Sequence, residues 1–167
     1  MYIKVTAIIT AFFISHSLLC QKSINLSVDL TTKAKYVNLC VDFQSQNYNK
    51  TVGIWIGDHN SLDANGFGLN YAIKTQKRER NTINLFAIAF AGYSFFRNEL
   101  PISTYHIHYL DFSLGYGMEY KIGNNIYLSN SISIGANIEF ITNTVLENNN
   151  ILLDTSGLIR TSIIYKI

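Results

Sequence analysis

The chain is 167 residues long, with a formal charge of +2 and charged residues making up only 14% of it. Soluble domains usually carry about a quarter, so composition argues against an ordinary water-exposed surface. It also leaves no field for nucleic acid, since the single basic run, Lys77, Arg78 and Arg80, reads as a solvated turn.

At the N-terminus Lys4 precedes an apolar run from Val5 to Ile14, followed by Ser15–Cys20. This is the layout of a secretory signal peptide over 1–20. As a membrane helix the stretch is interrupted by Thr10, Ser15, His16 and Ser17 and falls short of the ~20 apolar residues a span needs. Cleavage after Cys20 is expected rather than lipid attachment to it, because Leu19 is not the small residue that lipidation sites want. The mature chain, 21–167, then holds one thiol, Cys40, and no disulfide.

Period-two alternation begins at Ser23 and recurs along the chain, predicting an all-β, antiparallel barrel of about eight strands in one domain, 21–167. Ser23–Leu30 sets Ile24, Leu26, Val28 and Leu30 against polar neighbours, and Lys35–Gln44 does the same with Val37, Leu39, Val41 and Phe43. Thr51–Asp58 and Gly66–Lys74 are shorter versions. Thr82–Phe96 contains the unbroken apolar run Leu85–Ala91, read as a strand from its neighbours. Ile107–Ile122 and Ile126–Phe140 alternate over their whole length, and a last strand carries Ile159, Ile163, Tyr165 and Ile167 on one face. Gly123–Asn125 reads as a tight turn; Ser61–Asn65, Asn98–Tyr105 and Asn143–Asn150 read as longer loops at the opposite end.

Alternation suits a soluble barrel with an apolar interior as well as a membrane barrel with an apolar exterior. The polar faces decide. They are Ser, Asn and Gly, including Gly53, Gly68, Gly115, Gly117 and Gly135, with few charges. Water-facing strands would carry Lys and Glu, and glycine weakens them, so the small polar face is expected to line a crowded lumen. Asp29, Asp42, Asp111, Glu119, Lys121, Glu139 and Arg160 are expected to form an internal ionic network there. Phe43, Tyr120 and Tyr165 fall at one end of the apolar face and Phe67 and Phe140 at the other, as interfacial aromatic girdles would.

With these features the mature chain resembles the small Gram-negative outer-membrane β-barrels of OmpA-like type. The resemblance implies an outer-membrane location, a monomer, and as partners membrane lipid, lipopolysaccharide and the outer-membrane assembly machinery. The terminal Ile163, Tyr165 and Ile167 are similar to the family's assembly signal, although members usually end in an aromatic residue. A structural or surface-interaction role follows, with a narrow, side-chain-filled lumen and no porin-type channel.

No residue earns a catalytic, cofactor-binding or metal-binding assignment. His106 and His108 share one side of a strand, but two ligands without a third Cys, His or carboxylate do not make a site. His59-Asn60-Ser61, with Asp58 or Asp63 nearby, resembles the His and Ser pair of membrane lipid A deacylases; the alternative reading is a polar turn. Gly53-Ile54-Trp55 is similar to the Gly-x-Trp of lipocalins, the basis of a soluble periplasmic binder as the competing reading.

Overall fold

The computed structural model describes residues 22–45, 48–60, 64–75, 83–99, 104–143 and 149–167. The expected signal peptide lies outside them. Eight strands, β1 (Lys22–Thr31), β2 (Ala34–Gln44), β3 (Tyr48–His59), β4 (Asn65–Thr75), β5 (Ile83–Glu99), β6 (Thr104–Lys121), β7 (Ile126–Asn143) and β8 (Asn149–Lys166), form a closed antiparallel barrel in sequence order. β1 closes it against β8, Ser23 opposite Lys166.

The stagger can be followed rung by rung from Ser27 through Asn38, Trp55, Gly68, Ser94, Tyr109 and Glu139 to Leu152. Leu152 lies six residues before Leu158, the partner of Thr31, so the ladder returns ten residues along β1 from where it began. Eight strands with that shear tilt by about 40° and enclose a bore that side chains alone can fill.

Facing follows the sequence pattern. In β1 Ser23, Asn25, Ser27 and Asp29 are buried while Ile24, Leu26, Val28 and Leu30 are exposed. The same holds around the wall, where Leu114, Ile134 and Leu69 stand outside, Ile134 at 72% exposure. Aliphatic side chains on the outside and Ser, Asn and Asp inside invert a lipocalin, so the soluble-carrier reading is set aside. In water such an exterior would be an aggregation surface; in hydrocarbon it is the favourable side.

At the end holding Lys22 and Lys166, here the near end, Tyr48 and Tyr165 are exposed on the outer face and Tyr120 is half-buried. Phe43, expected there on the apolar face, is only 9% exposed. At the far end Phe67 packs on Phe95, which in turn contacts His106 and His108, while Phe140 sits opposite His108. Along β6 twelve residues separate His108 from Tyr120, which at ~3.3 Å per residue and ~40° of tilt sets the girdles ~30 Å apart, close to the thickness of a bilayer core.

Two expectations about length need correction. β5 and β6 run to Glu99 and from Thr104, so Asn98 and Tyr105 are paired strand residues. β8 starts at Asn149, well before Leu158, and Asn149 and Asn150 pair with Thr142 and Ile141. Past the far girdle no lipid enforces an apolar outer face, so the alternation fades at the ends of β5 and β6; in β8 it is broken within the band by outward Thr155 and Gly157 and inward Leu152 and Leu158, although the ladder continues. The turn at 123–125 is tight as expected, held by Ile122 and Gly123 amides donating to the Ile126 carbonyl. At the far end Thr31 Oγ1 accepts from the amides of Lys33 and Ala34, which makes the β1–β2 turn.

Candidate functional site

The filled lumen and its far mouth hold the chain's polar chemistry. Midway along, Arg160 donates through Nε and Nη2 to both oxygens of Asp29 at 2.7 and 2.6 Å, fully buried. This fork-to-fork pairing is the strong form of a buried ion pair. Asn38 also donates to Asp29, Asn70 donates to Asn38, and the guanidinium lies over the Phe90 ring at 5.2 Å.

Above Arg160 an aromatic stack crosses the bore. Trp55 lies on Tyr36 with ring centroids 4.1 Å apart and contacts Phe90; its Nε1 donates to the Tyr93 carbonyl at 3.0 Å. Tyr36 in turn bonds Ser94 at 2.9 Å. The indole fits because Gly68 and Gly92 face it: a Cβ on Gly68 would strike Trp55 Nε1 and the Tyr93 carbonyl oxygen. The lipocalin-like Gly-x-Trp is thus a lumen plug flanked by glycines of other strands.

The expected single ionic network is a set of separate local clusters. Asp42 pairs with Thr51 and Ser23, and Asp111 accepts from Asn137 at 2.7 Å and Ser156 at 3.1 Å. Glu119 meets Lys166 at 3.2 Å at the near mouth. Lys121 is exposed on the near rim and takes no part. Lys33, from the β1–β2 turn, reaches Asp154 at 2.9 Å and Glu139 at 3.8 Å at the far mouth. Sequence reading missed Lys33 and Asp154 because neither lies on an alternating stretch. Lys33 is held protonated above its ordinary range, chiefly by the hydrogen bond to Asp154.

His59 points into the lumen, bonded through Nε2 to Tyr109 and packed on Phe96. Asn60 donates to the carbonyls of Thr31 and Thr32. Ser61 and Asp63 lie outside the described residues. His106 and His108 sit on the outer face in the far girdle, His108 Nδ1 bonded to Tyr93 at 2.7 Å. Among the described residues no group of three or more His, Cys, Asp or Glu could hold a metal.

On the outside, a groove of roughly 540 Å³ has small Ala87 and Ala89 as its floor and Ile73, Leu114, Tyr116 and Ile134 as its walls. Its walls are part of the outward aliphatic band.

No protein-family model matches the chain, and no curated protein matches it. Solved structures do. Neisserial surface protein A is 11% identical with a TM-score of 0.59, the match covering 88% of this chain and 95% of that one. The N-terminal β-barrel domain of Pseudomonas aeruginosa OprF is 10% identical with a TM-score of 0.57, covering 89% and 100%. A major outer membrane protein from Thermus thermophilus is 11% identical with a TM-score of 0.56, covering 89% and 99%. Together with the strand order and the outward aliphatic band, these likenesses give the chain the fold of the small eight-stranded outer-membrane β-barrels.

Proposed function

We propose that this chain is a monomeric outer-membrane barrel that acts as a scaffold for surface interaction, without catalysis and without a porin-type pore. The observation that carries this is the outward aliphatic band bounded by aromatic girdles, which requires hydrocarbon around it. The near end, with the tight turn and the first and last strand ends, faces the periplasm; the far end, where β5–β8 stand taller, faces outside. Membrane lipid and lipopolysaccharide then contact the exterior, and Ile163, Tyr165 and Ile167 serve the assembly machinery.

The lumen supports the absence of a pore: Trp55, Tyr36, Phe90, Phe96 and Arg160 fill the bore across its middle. Fractionation tests the location. The protein should leave the outer-membrane fraction only with detergent and run as a heat-modifiable band; recovery in the soluble periplasmic extract would refute the proposal. Purified folded protein that deacylates lipid A would refute the non-enzymatic part.

A further inference from the structure

The β8 strand outlasts its neighbour. β1 pairs with β8 only from Leu158 onward, and among the described residues the last backbone hydrogen bond across that joint is the Thr32 amide donating to the Gly157 carbonyl at 3.2 Å. Antiparallel strands alternate the side to which each residue turns its N–H and C=O. Ile151, Leu153 and Thr155 therefore turn theirs as Gly157 does, across the gap above the β1–β2 turn. Among the described residues no strand pairs with them there.

Elsewhere one face of each strand is covered, whereas Ile151, Leu152 and Leu153 are consecutive and exposed at 67%, 50% and 75%. Open rungs flanked by apolar side chains on both faces form a template for an added strand. The local charge is acidic: among the described residues the exposed Asp154 and the buried Glu139 behind it are met by one cation, Lys33. Asp154 also accepts from the Thr155 amide at 2.7 Å, so one rung is guarded and those of Ile151 and Leu153 are not.

We propose that the Asn149–Ser156 edge of β8 binds an extended segment of another protein, one that alternates apolar and basic residues, by adding it to the sheet. Main-chain bonds to Ile151 and Leu153 hold the segment; its basic side chains meet Asp154. The proposal rests on the surface-interaction reading above, and names the place and chemistry of that interaction.

The probe is a short, fluorescently labelled peptide of alternating valine and lysine, titrated against the detergent-folded barrel. Saturable binding is expected, weakened about tenfold or more, ~1.4 kcal/mol or more, when alternate amides of the peptide are N-methylated, and weakened likewise by Asp154→Lys. Leu153→Pro removes an edge N–H that β7 does not use, so the barrel should stay folded by heat-modifiable mobility while binding is lost. No binding, equal binding of the N-methylated peptide, or equal binding by folded Leu153→Pro would overturn the proposal. Self-association that displaces the peptide would overturn it in favour of a second copy. Both ends are accessible in detergent, so failure there counts against the edge alone; membrane orientation is read separately, by labelling Leu153→Cys on intact cells.

Discussion

Single residues in the lumen carry unequal weight. Removing Arg160 as Arg160→Ala leaves Asp29 buried and uncompensated, and should cost about 3–5 kcal/mol in denaturant unfolding from lipid vesicles. Replacing both partners, Arg160→Met with Asp29→Leu, should cost less than Arg160→Ala alone; a larger cost for the double variant would contradict the assignment of the loss to the orphaned carboxylate. Gly68→Val meets the Trp55 indole and, on the backbone side, the Tyr93 carbonyl, which cannot swing away. About 1–3 kcal/mol of destabilisation is expected, with the near-ultraviolet signal of Trp55 altered, and an unchanged spectrum and midpoint would disprove the contact. These partnerships were not legible in the sequence. Asp29 and Arg160 are 131 positions apart, and only the register of the barrel's closing joint brings them level.

At the scale of the strand, lipid writes the pattern that sequence reading uses. Within the band every second residue must be apolar, which is why β1, β2, β6 and β7 were readable and their facing correct. Ile134→Arg, on the outer face near mid-band, should cost ~2–4 kcal/mol in bilayers, and single cysteines along Ile126–Phe140 should react with a lipid-soluble label at alternate positions. Labelling at every position would refute the facing. Beyond the girdle the constraint lapses, and so Asn149, Asn150 and the far ends of β5 and β6 read as loops although hydrogen bonds continue through them. The β1–β2 turn is tied to β8 by Lys33, whose pKa is raised by Asp154. A raised lysine pKa stabilises below its ordinary value of 10.5 and loses that contribution as pH climbs through the folded value. Hydrogen exchange at the Thr32 amide, corrected for the intrinsic rate, should therefore accelerate above pH 10.5 and not on mild acidification from neutrality; no alkaline change would show that Lys33 does not hold the turn.

For the whole molecule, strand number, stagger and side-chain volume agree. A shear of ten over eight strands gives a bore only wide enough for side chains, and the sequence alternates glycine with Trp, Phe and Tyr on the inner face to fill it. Planar-bilayer recordings should show no steady open level, and Trp55→Ala, which empties the middle of the plug, is the variant most able to create one. A persistent large conductance in the wild-type protein would contradict the filled lumen. The crossing of Asp29 and Arg160 over the joint between first and last strands has a consequence for biogenesis. A half-inserted curved sheet, hairpins in place but ends apart, would leave a carboxylate and a guanidinium stranded on opposite margins in an environment that solvates neither. Insertion and ring closure are thereby coupled, because the intermediate that waits between them is penalised by both orphaned charges at once.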